Sequence, residues 1–268
     1  MAAQEELPHV VAVMITGKSV ERLPWARLAI KRFHEQDYPP HRRHLLIVQD
    51  SDHPALFPEQ AGQTELHVAP GAVRITLGEL RNRALDYLAE KFPASWVMQW
   101  DDDDYPAATR MRKHVVATQE WHGELQSLNA MQPQWATTLA SQLRYSVPRN
   151  VCKRYRGDMW GVFGTVLHCP AADAPRYECV GKHEDSRFLK LFTRHCALPL
   201  AAQLYIRVYN ALNTWDETHI MGRHDARANV GGNWHSDPTL RQVLCDFCCD
   251  LVRSGVLANA ELQRLLPK

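Results

Sequence analysis

A short apolar run, Trp96-Val97-Met98-Gln99-Trp100, ends abruptly in four consecutive carboxylates, Asp101 to Asp104, with Tyr105-Pro106 directly behind them. The run reads as a buried strand, and its charged end restricts what can surround it. Adjacent anions repel one another, so a fold keeps them together only where a cation offsets the charge or water screens it. Taken alone, the acidic run fits either a solvated loop or a site for a hard divalent ion such as Mg²⁺ or Mn²⁺, which prefers carboxylate oxygens.

The segments on either side favour an ordered site. His9 to Thr16 is short, β-branched and nearly all apolar, as expected of a buried strand, and Gly17 allows a tight turn at its carboxyl end. Leu23 to Gln36 carries Leu28, Ala29, Arg32 and Phe33 at helical spacing, with Pro24 suited to a first turn. His44 to Gln49 predicts a second buried strand, ending at Asp50-Ser51-Asp52. A loop rich in Pro, Gly and Gln follows, then a weak strand near Val73 to Thr76 and a strong helix over Leu77 to Phe92. After the Ser95 to Trp100 strand, Pro106 to Trp121 reads as helix. This alternation implies an α/β fold, a mostly parallel sheet sandwiched by helices. Ligands of such sheets bind outside the carboxyl ends of the strands, where Gly17, Asp50 and the aspartate run would all lie.

Beyond Trp121 the pattern changes. Trp135 to Val147 reads as strand, Trp160 to His168 as a glycine-punctuated strand, His183 to Phe192 as helix and Leu200 to Tyr209 as strand. Pro238 to Val252 and Val256 to Leu266 predict amphipathic C-terminal helices. The expected organisation is one domain over residues 1–235, with 236–268 as a helical extension packed on it. A hydrophobic content of 45%, a charged content of 23% and a net charge of +1 suit a soluble globular chain and do not by themselves specify a polyanionic partner. The N-terminus lacks a basic segment followed by an apolar one, and no stretch is apolar enough for a membrane span. Seven scattered cysteines suit reduced thiols and a cytoplasmic location. Cys245-x-x-Cys248-Cys249 has no second ligand pair at finger-like spacing, and Cys248 shares an apolar helix face with Val243, Leu244, Phe247 and Leu251, so zinc is rejected.

Several motifs together resemble the GT-A glycosyltransferases, and the inverting, nucleotide-sugar-dependent family 2 members in particular. Gln36-Asp37-Tyr38-Pro39 is similar to the family's Gln-x-Tyr-Pro turn, and Ile47 to Asp52 resembles its Val-Val-Asp-Asp-Gly-Ser strand end. Leu77 to Leu85 is similar to its glycine, Arg-Asn helix start, Trp100 to Tyr105 to its Asp-x-Asp-Asp metal motif, and Lys182-His183-Glu184-Asp185 to its late Glu-Asp motif. The matches run in the family's order from about residue 9 to about residue 190, and the order is more specific than any one motif.

The resemblance implies a GT-A, Rossmann-like fold and a division of labour. Asp50 and Asp52 would bind the nucleobase, with UDP the default because Gln49 and Ser51 depart from the family pattern. Thr16, Gly17, Arg81, Asp101 and Asp102 would line the donor site. Asp101 and Asp103 would hold Mn²⁺ or Mg²⁺, and Asn213-Thr214-Trp215 with His219 or His224 would close over the donor, His219 being the late histidine taken as a metal ligand. Asp185, beside Glu184 at a helix start, would be the general base that deprotonates the acceptor hydroxyl. The basic segment Arg144 to Arg156, with Tyr145, Tyr155 and Trp160 interleaved, fits an acceptor site for a glycan or a phosphate-bearing acceptor such as a nucleic acid. It equally fits a lid contacting the donor diphosphate, or a solvated loop without function. Two other classes stay open: a nucleotidyltransferase, disfavoured by the glycine-poor Ile15 to Ser19, and a sugar-nucleotide-binding module without turnover.

Overall fold

A computed structural model of the chain describes residues 7–17, 20–49, 57, 60–68, 75–127, 134–213, 215–221 and 238–257. Its centre is a seven-stranded sheet built from β1 (Val10–Thr16), β2 (Arg43–Gln49), β3 (Gln63–His67), β4 (Trp96–Gln99), β6 (Trp135–Leu139), β9 (Val162–His168) and β10 (Arg194–Leu198). The order is β10-β6-β9-β4-β1-β2-β3. The half from β3 to β4 is parallel throughout, and β9 runs antiparallel to both β4 and β6. Continuous apolar burial along β1 and β2 follows from helices covering a parallel sheet on both sides.

Helices α1 (Leu23–His34) and α2 (Leu77–Lys91) bury the faces the spacing predicts, including Leu28, Ala29 and Phe33 on α1 and Leu80, Ala84, Leu85 and Leu88 on α2. Trp100, fully buried at the base of the aspartate run, packs edge-on to Phe33 at 5.7 Å and donates its indole N–H to the Ala29 carbonyl at 3.0 Å. The acidic turn therefore starts from a fixed point.

Some boundaries differ from the sequence expectation. The strand after β2 is Gln63–His67, inside the stretch expected as loop; the expected Val73–Thr76 strand lies partly outside the described residues, and Thr76 caps α2 instead. Pro106 is not helical: β5 (Tyr105–Pro106) pairs with Tyr205 and Ile206, and α3 (Arg110–Ser127) starts later. A proline fits there because β5 is an edge strand. Trp135 to Val147 is two strands, broken at Ala140, that belong to different sheets.

The second sheet joins β5, β11 (Tyr205–Tyr209), β7 (Ser141–Ser146) and β8 (Val151–Arg156) in the order β5-β11-β7-β8. One of its faces packs on α6 (Pro238–Arg253), where Leu244, Phe247, Cys248 and Leu251 meet Leu143, Tyr145, Ile206 and Val208. Cys248 is thus core, and all seven cysteines are free thiols. Asp250 of α6 accepts hydrogen bonds from Lys31 at 2.8 Å and Tyr105 at 2.7 Å, tying α6 to α1 and β5. Most of the expected Val256–Leu266 helix lies outside the described residues. Among the described residues no helix is long and apolar enough to cross a membrane.

Candidate active site

The four aspartates split into two pairs as soon as β4 ends. Asp102 and Asp104 are 3% and 5% exposed and fully engaged by the protein. Asp102 accepts from Thr16 Oγ1 at 2.9 Å and from Arg22 at 2.5 Å; Asp104 accepts from the Tyr205 hydroxyl at 2.6 Å and the Val208 amide at 2.8 Å. Asp104 thereby bolts the first sheet to the second. The side chains of Asp101 and Asp103 keep 27% and 15% of their surface open. Asp103 accepts from Arg22 at 3.0 Å and from Asn213 at 2.8 Å. Burial raises the carboxyl of Asp102, pushes Asp104 up to about 6 and, with the charges of Asp102 and Asp104, lifts Asp103 well above the usual carboxylate range. Arg22 opposes this at Asp102 and Asp103, and Arg207 at Asp104, but burial outweighs both.

The motif at the start of α2 has a structural reason at each position. Thr76 and Glu79 form a reciprocal capping box, which fixes the helix entry. Gly78 lies against the chain that leads into α4 (Glu184–Leu189): its amide donates to the Val180 carbonyl at 3.1 Å, and a Cβ there would sit 1.9 Å from the Glu178 carbonyl oxygen. Asn82 brackets Tyr177, donating to its carbonyl and accepting from its amide, both at 2.9 Å. Between them, the buried Arg81 points at three carboxylates, with its guanidinium 3.3 Å from Asp185, 3.5 Å from Glu184 and 3.6 Å from Asp101. The first turns of α2 thus carry the Glu184-Asp185 segment and supply its counter-charge together.

Glu184 is buried, and burial followed by the charge of Asp185 pushes its carboxyl up to about 7 despite Arg81. Asp185 keeps 22% of its side chain open. Gln99, the last residue of β4, donates through the same amide nitrogen to Asp101 and to Asp185, 3.1 Å each. Two carboxylates 84 positions apart in the chain, as the numbering of Asp101 and Asp185 gives, therefore meet across one side chain. The sequence reading missed Gln99, Arg22 and Tyr205; none carries a motif, although Gln99 stands out as the one polar residue in an apolar strand.

The remaining expected site residues divide. Thr16 is at the site through Asp102, and Gly17 follows it at the end of β1 with open space on its Cβ side. Asp50 and Asp52 lie outside the described residues, as do Thr214 and His224. His219, expected to hold an ion, is instead stacked on Trp215 at 3.9 Å, and Arg207 and Arg144 push its proton affinity down after burial. Neighbouring cations make that imidazole a poor place for another cation. The Arg144–Arg156 segment is a hairpin whose alternation sends its cations to opposite faces, so it is no continuous basic patch.

Comparison with solved structures places this arrangement in a known fold. S. aureus TarS 1-349 superposes with a TM-score of 0.52 at 12% identity, covering 96% of this chain and 69% of that one. The chain shares the fold of TarS. A second TarS 1-349 structure, in complex with UDP-GlcNAc, aligns at a TM-score of 0.48, 12% identity, and 96% and 70% coverage. The mannosyltransferase PcManGT from Pyrobaculum calidifontis, in complex with GDP-Man and Mn²⁺, aligns at 0.46, 13% identity, and 98% and 69% coverage. No protein-family model matches the sequence, and no curated protein matches it.

The donor set suits a divalent ion of one kind. Among the described residues no three or more His, Cys, Asp or Glu side chains converge to cage an ion. The two open carboxylates, Asp101 and Asp103, instead fit the way Mg²⁺ and Mn²⁺ are commonly held, by one or two carboxylates together with substrate phosphates and water.

Proposed function

We propose that this chain is an inverting glycosyltransferase that moves a sugar from a nucleoside-diphosphate sugar to an acceptor hydroxyl. The observation that carries the reading is the shared hydrogen bond of Gln99, which brings Asp101 and Asp185 to one point at the carboxyl end of β4. The TarS-like fold and the ordered motifs support it.

Asp185 takes the role of general base. It accepts the acceptor hydroxyl's proton as that oxygen attacks the anomeric carbon and the bond from that carbon to the diphosphate breaks. Gln99 orients Asp185, and Arg81 offsets the local negative charge. Glu184 buttresses Asp185 from behind. Thr16, Gly17 and Arg81 border the donor, and Asp50 and Asp52 are the candidates for the nucleobase. Asp101 and Asp103 would hold Mn²⁺ or Mg²⁺, which would neutralise the charge developing on the leaving diphosphate. Asp102 fixes the turn that presents them. The proposed unit is a single catalytic domain over residues 1–235 with a helical extension over 236–268, working in the cytoplasm.

The test is donor cleavage. With UDP-GlcNAc, GDP-mannose and other nucleotide sugars in turn, release of nucleoside diphosphate in Mn²⁺ should occur with at least one donor. Asp185→Asn should abolish it while the protein stays folded by circular dichroism; wild-type release in that variant would remove Asp185 from the role.

A further inference from the structure

The face of the second sheet opposite α6 is unusual in its charge. Strand alternation puts Gln142, Arg144, Lys153, Tyr155, Tyr205 and Arg207 on it, and Arg144 is directly paired with Arg207 across β7 and β11 and with Lys153 across β7 and β8. Like charges placed opposite each other in a sheet are destabilising. Arg144 is only 7% exposed, its guanidinium lies 3.3 Å over the Tyr155 ring, and its Nε has no hydrogen-bond partner. Neither arginine makes an ion pair with a carboxylate among the described residues. Gln142, two residues along the same face, is fully buried with both amide atoms unpartnered. His219, on α5 (Glu217–Met221), adds an imidazole whose proton affinity is lowered by burial and then by the two arginines. Arg207 is half-buried and has the charges of Asp104, Asp101 and Asp103 nearby to offset it, but the buried Arg144 beside it and the buried, unsatisfied amide of Gln142 leave donors on this face with no acceptor.

We propose that Arg144, Arg207 and Gln142 form a binding site for a phosphate-type oxyanion carried by a substrate. Paired guanidinium forks match the oxygens of a phosphate, and the amide and imidazole add more donors than the two oxygens of a carboxylate readily take. The site adjoins the carboxylate centre, because Tyr205 on this same face donates to Asp104 at 2.6 Å and to Asp101 at 3.3 Å. Assigning the phosphate to a substrate rests on the glycosyl-transfer reading; the oxyanion site itself does not.

Inorganic phosphate is the probe, titrated calorimetrically into the full chain. Arg144→Gln and Arg207→Gln should each weaken binding at least tenfold, whereas Arg154→Gln, an exposed cation on the other face, should leave it unchanged. Arg144→Gln relieves the like-charge pair and should melt no lower than wild type, so its loss of binding is read on a folded protein. Repeating the titration in saturating UDP and Mn²⁺ separates the sources. Phosphate that still binds beside UDP marks a phosphate on the acceptor; phosphate displaced by UDP, with UDP itself weakened in Arg144→Gln, marks the diphosphate of the donor. Failure of every nucleotide to bind while the phosphate titration stands would sink the glycosyl-transfer reading and spare the oxyanion site. Phosphate binding that is absent in wild type, or equal in wild type and both variants, overturns the proposal.

Discussion

Replacing Glu184 by glutamine isolates the cost of the buried carboxylate cluster. Glu184 is 4% exposed, and burial and Asp185 push its carboxyl up to about 7 from an ordinary 4.5. The folded protein therefore holds this proton more tightly than the unfolded chain. For a raised carboxyl the sign is the reverse of a salt-bridged aspartate: the stabilisation is complete below about pH 4.5 and is lost as pH climbs through 7. The shift corresponds to about 3 kcal/mol, of the same order as a sizeable fraction of a domain's whole stability. Glu184→Gln keeps the shape and cannot ionise, so the difference between wild type and variant removes the contributions of Asp102, Asp103 and Asp104, which titrate in the same direction. Urea denaturation at pH 5 and pH 8 measures it. Wild type should lose about 2–3 kcal/mol relative to the variant between the two pH values, since part of the effect is already gone at pH 5. Parallel pH dependence in the two proteins would refute the argument that Glu184 is a desolvated carboxyl next to Asp185.

Three further perturbations test separate parts of the structure. Gly78→Ala would normally stabilise a helix by about 1 kcal/mol; here the methyl meets the Glu178 carbonyl, so we expect a net loss of about 1–3 kcal/mol in denaturant unfolding, with reduced donor cleavage as α4 shifts. Asp250→Asn should destabilise by roughly 1–3 kcal/mol, because the amide keeps only one acceptor oxygen for the two donors and no charge for Lys31. Burial opposes ionisation of Asp250 but those two partners outweigh it and lower its carboxyl, so its contribution is present at neutral pH and fades below the ordinary carboxylate range; acid melts of the two proteins should converge. Thr76→Ala removes the side-chain half of the α2 cap and should cost about 1 kcal/mol by urea midpoint.

The parallel half of the main sheet is legible in the sequence because strands covered on both faces must be apolar where they are buried, as β1 and the Leu45 to Val48 run of β2 are. The edges are not. β3 is Gln-Thr-Glu-Leu-His and β10 is Arg-His-Cys-Ala-Leu, polar strands at the two margins of the sheet, where one side is unpaired and no apolar run is needed. The break at Ala140 is invisible for a different reason. β6 is Trp-Ala-Thr-Thr-Leu and β7 is Ser-Gln-Leu-Arg-Tyr-Ser, both mixed in polarity with no glycine or proline between them, so nothing in the sequence marks the point where the chain changes sheets. In the site, the ordered Arg81, Asp101 and Glu184-Asp185 are visible because each is embedded in a local motif. Arg22 is not, since it joins Asp102 and Asp103 from 80 residues away out of a short polar turn with no periodicity. Arg207 and Arg144 show only as scattered basic residues until the β7–β11 register aligns them.

The central claim is that the acidic turn after β4 and the Glu184-Asp185 helix start form one donor site. Thermal shift against a panel of nucleotide sugars, with and without Mn²⁺, tests it on the intact chain. The account predicts that at least one nucleotide sugar raises the melting temperature by several degrees, that Mn²⁺ enlarges the rise, and that Asp103→Ala removes the Mn²⁺ effect without unfolding the protein. A panel in which no nucleotide sugar moves the melting temperature, with or without the metal, would contradict it.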